Sequence, residues 1–281
     1  MRRPTAALLA TVLVSLALCP SGLSAQRDAD QWLDRCDRDR SRDDRYKHCE
    51  VRETGMRPPR GTLTIDPDRN GGVAVTGWER DSVAVFAKIQ TYGTSGDAAA
   101  ALAREIKIEA SGSTVRVSGP GPSGRWRGWS VSFEVYVPRR TDLSLKTENG
   151  PIGVSDVVGR LDLDALNGPV SLDGVGGNVR ARVQNGPLHI ELVGTRWEGE
   201  GMDVETVNGP VDLAIPEGYN ARVEFGTVNG PMSVGFPLNV TIQGRVTQRI
   251  TTTMGSGGPL VRVVTTNGPF TLRRGGGGGQ L

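Results

Sequence analysis

The chain has 281 residues, of which 37% are hydrophobic and 23% charged, and its formal net charge is +2. This length can form one elongated domain or two compact ones. The near balance of 33 basic and 31 acidic residues excludes the basic excess that a nucleic-acid-binding protein needs to neutralise phosphates.

The first 25 residues have the pattern of a secretory signal peptide, with two arginines, an apolar run over residues 6–19 and small residues up to Ala25. Cleavage after Ala25 would leave 31 basic and 31 acidic residues, so that the mature chain has no net charge. Lipidation of Cys19 is the alternative, but Leu18 is bulky where a lipoprotein signal needs a small residue. No later segment has 18 consecutive apolar residues, and we expect a soluble or peripherally held product.

Residues 26–60 form a highly charged segment with few apolar side chains, which predicts a solvated helix or loop. Cys36 and Cys49 remain after cleavage, and an isolated cysteine pair in an exported protein predicts a structural disulfide. With Trp32 as an anchor, this disulfide would staple the segment into a hairpin. A redox-active pair is the alternative, but the Cys-x-x-Cys spacing that it needs is absent.

From Gly61 onward, short runs alternate apolar and polar residues and are rich in β-branched side chains, which predicts half-buried strands. The first of these runs are TLTI, VAVTGW, SVAVFAKI, STVRVSG and VSFEVYV. One helix is predicted among them at about residues 97–106, where an alanine-rich stretch follows a Ser95 N-cap. Everything after Val131 is predicted to be strand and turn.

The triplet Asn-Gly-Pro occurs six times in the second half of the chain. Its asparagines are Asn149, Asn167, Asn185, Asn208, Asn229 and Asn267. In every copy the residues six and four positions before the asparagine, and three and five positions after it, are apolar. An internal repeat of this kind predicts an all-β solenoid of stacked two-strand rungs that bury continuous apolar columns.

Each triplet is predicted to be a corner between the two strands of a rung. Asn-Gly also favours two-residue hairpin loops, so an antiparallel meander is the alternative. However, the residue after such a loop normally donates its N–H across the turn, and proline has none. Stacked asparagine side chains can hydrogen-bond along the solenoid axis, and we interpret the six asparagines as a structural ladder rather than a ligand site.

Charges of alternating sign occupy one equivalent outward column of the repeats, namely Lys146, Asp164, Arg182 and Glu205. Opposite charges on adjacent strands favour in-register stacking, so this column indicates a solvated ladder rather than a ligand groove.

Three carboxylates lie near a second outward column, those of Asp162, Asp203 and Glu224. Paired acids would suit glycosidase chemistry. However, Arg180 and Arg262 share the column, which indicates charge balance, and we predict that the protein is not an enzyme.

The two histidines form no metal motif. His48 lies beside Cys49, and His189 alternates outward between two apolar residues. Neither has a second histidine at metal-ligand spacing, so we interpret both as surface residues. We predict no metal and no cofactor, because nucleophile-elbow, P-loop and calcium-repeat motifs are also absent.

The segment GRWRGW is the most plausible interaction surface, and it contains Arg125, Trp126, Arg127 and Trp129. Aromatic and arginine side chains are enriched at binding hot spots and pair through cation–π contacts. Packing of this segment against the disulfide-stapled residues is the alternative.

These features resemble a bacterial putative-adhesin family, a repetitive β-domain of largely unassigned role. Its repeated T-x-N-G-x-I motif is matched by KTENGPIGV and more loosely by ETVNGPVDL and GTVNGPMSV. An upstream segment like VTGWERDSVAV and a short Ala-rich helix are also features of that family. The resemblance covers roughly residues 61–273 and implies a right-handed β-solenoid or β-roll. The fixed proline and the insertion over residues 238–258 depart from the family pattern, and the insertion affects the packing of the last rung.

We therefore expect a signal peptide (1–25), a charged disulfide-stapled segment (26–60), an adhesin-like β-solenoid (61–273) and a disordered glycine-rich tail (274–281). The expected function is that of a non-enzymatic scaffold or adhesion module of the cell envelope, in the periplasm or at the cell surface. Its partner would be an envelope protein or a glycan. The alternatives are a sensory domain in envelope-stress signalling, which the resemblance also implies, and a carbohydrate-active enzyme.

Overall fold

The computed structural model describes residues 29–36, 46–121, 127–237 and 249–275. The predicted signal peptide and residues 276–281 of the predicted tail lie outside this part of the chain. The described residues are mostly β, as predicted, and form two sheets of ten strands each. Within the described residues, no helix is long and apolar enough to span a membrane.

We number the strands along the chain and give each sheet in spatial order. Sheet A contains β1 (Tyr46–Met56), β4 (Val83–Gly93), β7 (Gly128–Pro138), β3 (Val73–Trp78), β9 (Ile152–Ser155), β11 (Val170–Asp173), β13 (Leu188–Glu191), β15 (Val211–Ile215), β20 (Phe270–Arg274) and β17 (Met232–Val234). Sheet B contains β18 (Arg249–Met254), β16 (Ala221–Asn229), β19 (Leu260–Asn267), β14 (Gly201–Asn208), β12 (Gly176–Asn185), β10 (Val158–Asn167), β8 (Leu143–Asn149), β2 (Leu63–Asp66), β6 (Thr114–Ser118) and β5 (Lys107–Ser111).

Each Asn-Gly-Pro repeat forms one rung, with its first strand in sheet B and its second strand in sheet A. Neighbouring rungs pair in parallel and in register. Leu161 of β10, for example, is opposite Leu143 of β8 on one side and Val179 of β12 on the other. Because the strands that flank a triplet lie in different sheets, the triplet is a corner and not a hairpin loop.

The hydrophobic core lies between the two sheets and is built from the apolar columns of the repeats. Twenty-two of the 24 predicted column positions are buried. Met232 and Val234 are the exceptions: Met232 is half-buried and Val234 is 37% exposed. Both lie on β17, the outermost strand of sheet A, so only one side of this strand has a neighbouring rung among the described residues.

The order of the rungs in space differs from their order in the sequence. The last rung, β19–β20, lies between the fourth rung, β14–β15, and the fifth rung, β16–β17. Residues 238–248 of the predicted insertion lie outside the described residues. The remainder of the insertion includes β18, which pairs antiparallel with β16 at the end of sheet B. The last rung is fully packed, because Phe270 and Leu272 are completely buried.

At the N-terminal end, too, the order of the strands in space differs from their order in the sequence, because β6 pairs in parallel with β2 and β7 pairs in parallel with β3.

The predicted helix, α2, spans Gly96–Glu105, and its Ser95 N-cap accepts a hydrogen bond from Ala98 N. Leu102 is buried on one face of α2. The helix therefore covers apolar surface close to the end of the stack, where β4 is its main neighbour.

The charged segment agrees with the prediction of a helix or loop in its first described part and differs from it in the second. Residues 29–36 form a helix, α1, whereas Tyr46–Met56 is the strand β1, paired antiparallel along its whole length with β4. The disulfide between Cys36 and Cys49 is confirmed and joins α1 to β1. The charged residues are compatible with a strand because β1 is an edge strand, where charges are common and discourage further pairing. The pattern of charge therefore did not reveal the backbone conformation.

Arg52 shows how the charged segment is integrated into the fold. Its guanidinium donates at 2.7 Å to the carbonyl oxygen of Ala103, in the last turn of α2, and at 2.6 Å to that of the C-cap residue Ile106. A cation at a helix C-terminus satisfies unpaired carbonyls and interacts favourably with the helix dipole. The segment is thus tied both to sheet A and to α2.

Candidate functional site

Seven asparagine side chains form a hydrogen-bonded ladder along the corners of the solenoid. Asn70 joins the six predicted asparagines and accepts from Asn149 Nδ2 at 3.4 Å. Each further step has the same form, in which Nδ2–H donates to the Oδ1 atom of the neighbouring rung at 2.9–3.1 Å. The spatial order is Asn70, Asn149, Asn167, Asn185, Asn208, Asn267 and Asn229.

Sequence reasoning missed Asn70, although a signal was present. Asn70 is followed by glycine, and Val73 and Val75 occupy the two apolar positions that follow each asparagine in the repeats. On the other side, Ile65 lies five residues before Asn70 and pairs with Leu145, which lies four residues before its own asparagine. The extra residue and the missing proline hide this rung from a search for the triplet.

The glycine of each triplet lies against the glycine of the neighbouring rung. A Cβ atom at Gly209 would come within 1.9 Å of the carbonyl oxygen of Gly186. A Cβ atom at Gly268 would come within 2.2 Å of the carbonyl oxygen of Gly209. These distances leave no room for any side chain, so close backbone approach explains the glycine at this corner.

Buried threonines satisfy glycine carbonyls at the corners. Pro210 has no N–H to donate to the neighbouring rung, and Thr206 Oγ1 donates to the Gly186 carbonyl oxygen at 3.3 Å. Thr265 makes the equivalent bond to Gly209 at 3.0 Å. Threonine two residues before the asparagine therefore compensates for the proline at these corners, whereas Ala165 and Val183 occupy the same position in two other repeats.

We call the asparagine ladder, together with the residue before each asparagine and the proline after it, the corner ridge. The six prolines and the seven asparagines are exposed. Leu166, Val207 and Val228, which precede three of the asparagines, are 40–45% exposed. An amide has two N–H groups and two lone pairs, and the ladder uses one of each. The ridge therefore presents apolar groups beside amides with spare hydrogen-bonding capacity.

The outer face of sheet B carries charges that alternate in sign from strand to strand. Arg182 Nε lies 3.2 Å from Glu205 Oε1. Arg262 is only 21% exposed and contacts three carboxylates, those of Asp203, Glu205 and Glu224. This face is a network of neighbouring opposite charges.

The three carboxylates that were considered for glycosidase chemistry are separated from one another. In the strand register, Arg180 lies between Asp162 and Asp203. Arg262 lies in the same way between Asp203 and Glu224. Glycosidases place two carboxyl groups on either side of the scissile bond, whereas each acid here has a guanidinium as its nearest neighbour in the column. The arrangement supports charge balance.

Of the predicted interaction surface, Arg127 and Trp129 are described, and Arg125 and Trp126 lie outside the described residues. Arg127 pairs with Glu105 at 2.6 Å. Trp129 is half-buried, and its Nε1–H donates to the Pro120 carbonyl oxygen at 2.9 Å. Trp129 and Asn70 both line a cleft of about 350 Å³. The structure thus brings Trp129 next to the first asparagine of the ladder.

The two histidines lie on different strands and contact single carboxylates. His48 Nε2 is 3.3 Å from Glu50 Oε2, and His189 Nδ1 is 3.2 Å from Asp212 Oδ2. In the four described ranges, no group of three histidine, cysteine, aspartate or glutamate side chains is arranged to hold a metal ion.

The outer face of sheet A carries a small acidic group. The pKa of Asp173 is raised above its usual range by partial burial and by the nearby carboxylates of Glu191 and Asp156, against a smaller opposing effect of His189. Arg273 lies 3.9 Å from Glu191 and offsets part of this repulsion. The group is a local electrostatic cost rather than a ligand cluster.

The family comparison agrees with the resemblance seen in the sequence. The model of the Toastrack DUF4097 family matches residues 70–273, which is most of the chain and nearly all of the solenoid. No curated protein matches the chain.

Solved structures provide more distant similarities. A putative cell adhesion protein from Clostridium sporogenes is 14% identical, with a TM-score of 0.42, and the match covers 81% of this chain and 100% of that one. A putative adhesin from Bacteroides fragilis is 12% identical, with a TM-score of 0.32 and coverage of 81% and 97%. A putative lipid binding protein from Parabacteroides distasonis is 6% identical, with a TM-score of 0.31 and coverage of 80% and 96%.

Proposed function

This chain belongs to the Toastrack DUF4097 family, and we propose that it is a non-enzymatic scaffold or adhesion module of the cell envelope. One observation carries the proposal. The corner ridge is a line of repeated, exposed apolar and amide groups held on a densely packed stack. Such a surface is suited to contact with a partner rather than to chemistry.

The dimensions of the corner ridge favour an extended partner. Seven asparagines at a strand spacing of about 4.8 Å span roughly 29 Å. Grouped exposed aliphatic side chains mark interaction surfaces. Leu166, Val207 and Val228 lie on this one line, where Gln184 and Thr266 alternate with them in space. We propose that the ridge binds an elongated envelope component, either a protein segment or a glycan chain. The cleft beside Trp129 lies at one end of the ridge and would extend it.

The disulfide supports export, because disulfides form and persist in oxidising compartments. We propose that residues 1–25 are removed as a signal peptide and that the mature chain is periplasmic or at the cell surface. We also propose a domain boundary near residue 60 between the disulfide-stapled segment and the solenoid, and another after residue 273. A right-handed solenoid agrees with the strong preference of parallel β-crossover connections for that hand.

The test is co-sedimentation of the mature chain, residues 26–281, with an isolated envelope fraction and with purified cell-wall glycan. Replacing the three exposed aliphatic residues in Leu166→Asp/Val207→Asp/Val228→Asp should reduce the bound fraction at least tenfold. Circular dichroism should show that this variant remains folded, because all three side chains are exposed. A second variant, Trp126→Ala/Trp129→Ala, tests the predicted interaction surface at the end of the ridge.

The matched control is Ser171→Asp/Ser233→Asp/Thr271→Asp, which adds the same three charges to exposed positions on the outer face of sheet A. Its binding should remain close to that of the unmodified chain. The proposal fails if the unmodified chain binds neither preparation, or if both triple variants bind equally well.

A further inference from the structure

The outer face of sheet B shows an ordered pattern of charge across four successive strands. In spatial order these strands are β10, β12, β14 and β19. Their outward charges, in the same order, are Arg160, Asp162 and Asp164; Arg180 and Arg182; Asp203 and Glu205; and Arg262. The net charges of these strands are therefore negative, positive, negative and positive. The flanking strands carry Lys146 on β8 and both Arg222 and Glu224 on β16. We call this surface of six strands the charged face.

When an even number of strands alternate in the sign of their net charge, reversing the order of the strands places a strand of opposite charge at every position. Such a face can therefore pair with a copy of itself. A two-fold axis that lies in the plane of the face, parallel to the strands and between β12 and β14, reverses the order of the strands. It would place β12 of one copy opposite β14 of the other, β10 opposite β19, and β8 opposite β16. The first two of these pairings join strands of opposite net charge, whereas Lys146 of β8 would face the uncharged Gly226 of β16 in the strand register.

We propose that the charged face binds the charged face of a second copy of this chain about such a two-fold axis. The contact is isologous, so that each pair of residues occurs twice. At its centre, Arg180 faces Asp203 of the second copy, and Arg182 faces Glu205 of the second copy. Asp162 faces Arg262 of the second copy further out. This partner goes beyond the envelope component proposed for the corner ridge, and it uses a different surface.

Part of the charged face has no ion pair within its own chain. Arg262 and Arg182 are paired with carboxylates of neighbouring strands. In contrast, Lys146, Asp162 and Arg180 form no ion pair within 4.0 Å in the part of the chain that the structure describes, and all three are exposed. These charges are available to a second copy without breaking an internal contact.

The stacking order of the rungs is what makes the face self-complementary. If the last rung followed the fifth in space, β14 and β16 would be adjacent, and Asp203 would lie next to Glu224. The insertion of β19 places Arg262 between them. The alternation therefore exists only in the folded stack and is not visible along the sequence.

The contact should be weak and sensitive to salt. Six strands span about 24 Å, so the buried area is at the lower end of the range for specific interfaces. Its centre is charged rather than apolar, and Coulomb attraction between exposed charges is strongly screened when the Debye length falls to a few ångströms. Dimers are therefore expected at low ionic strength and at high protein concentration.

The experiment measures the mass of the mature chain by sedimentation equilibrium in 20 mM and 500 mM NaCl. We expect a reversible monomer–dimer equilibrium at low salt and at least a tenfold weaker association at high salt. Arg180→Glu/Arg182→Glu makes β12 and β14 both negative, and Asp203→Arg/Glu205→Arg makes them both positive. Each variant alone should be monomeric, because like charges would then face each other.

An equimolar mixture of these two variants provides the decisive measurement. In a mixed dimer, the negative strands of one copy face the positive strands of the other at both central pairings, so dimers should return. Repair of neighbouring charges within one chain cannot produce this result, because each variant keeps its own defect. Arg57→Glu/Arg60→Glu, which makes the same net charge change at exposed positions outside the sheets, should dimerise like the unmodified chain.

Three results would overturn the proposal. They are a monomeric unmodified chain at low salt, dimers that persist in both charge-reversed variants, and a mixture that stays monomeric although both variants are folded by circular dichroism. The envelope-binding assay measures binding through the corner ridge instead. The proposed function and the proposed dimer can therefore be refuted independently of each other.

Discussion

Asn267 donates a side-chain hydrogen bond of 2.9 Å to Asn208, although 59 residues separate them in the sequence. Asn229, which lies between them in the sequence, stacks on the far side of Asn267. The last repeat is therefore inserted into the stack between the fourth and the fifth. This placement unites the asparagine ladder, the core columns and the charges of sheet B in one spatial order.

Gly209→Ala should destabilise the protein by about 2–3 kcal/mol, because the new Cβ would lie 1.9 Å from the Gly186 carbonyl oxygen and force neighbouring backbones apart. Urea unfolding monitored by circular dichroism measures the change. Gly153→Ala is the control, since a Cβ at Gly153 meets nothing within 4 Å. A neutral effect of Gly209→Ala would show that the corners are looser than the structure indicates.

Asn185→Ala removes two steps of the ladder, the bond to Asn167 at 3.0 Å and the bond from Asn208 at 2.9 Å. Each exposed hydrogen bond contributes at the lower end of the usual range, so we expect a loss of about 1 kcal/mol. Gln184→Ala, at the exposed neighbouring position, should change stability by less than about 0.5 kcal/mol. Equal unfolding midpoints for the two variants would argue against a structural role for the ladder.

Arg262→Ala should destabilise the protein by about 2 kcal/mol at pH 7, because it leaves three carboxylates close together on a partly buried surface. The deficit should shrink in 500 mM NaCl, since salt screens the repulsion between the unpaired carboxylates. Urea unfolding in 20 mM and 500 mM NaCl measures both effects. Arg160→Ala, which alters an exposed side chain on the same sheet, is the matched control. A deficit that does not change with salt would contradict an electrostatic origin.

Asp173→Asn should stabilise the protein by about 0.5 kcal/mol at neutral pH, a small value because the carboxyl is largely exposed. The folded-state pKa of Asp173 is raised by partial burial and by Glu191 and Asp156. A raised carboxyl pKa costs stability when the group is ionised in the folded state. This cost decreases as the pH falls through the folded pKa and vanishes below the unfolded value of about 3.9.

The gain from Asp173→Asn should therefore be present at pH 7 and absent at about pH 3. Thermal unfolding across this range measures it. Asp164→Asn, at an exposed position on sheet B, should show no comparable gain at neutral pH. A gain from Asp173→Asn that persists at pH 3 would mean that the raised pKa is not its cause.

Some local features were predictable because their causes are local. Helix α2 follows from the Ser95 cap and the alanine-rich stretch, and it begins and ends within one residue of the predicted bounds. The triplet corner follows from the missing N–H of proline. The disulfide between Cys36 and Cys49 follows from their being the two cysteines of the exported chain.

Other features depend on neighbours that the sequence does not identify. The strand β1 forms from a charged segment because β4 offers an open edge, and that edge exists only in the assembled sheet. The rung that contains Asn70 was missed because one extra residue shifts its spacing. Of the predicted interaction surface, Trp129 lies beside Asn70 only because β7 stacks against β3.

The sequence by itself determined the repeat, its apolar columns and its corners, because periodic burial and the chemistry of Asn-Gly-Pro act within each unit. The tertiary structure alone decided which rung stacks on which. That choice depends on contacts between distant segments, such as the position of Arg262 between Asp203 and Glu224 and the packing of Phe225 against Phe270. A repeat makes every rung a compatible neighbour for every other, so only the packed stack selects among them.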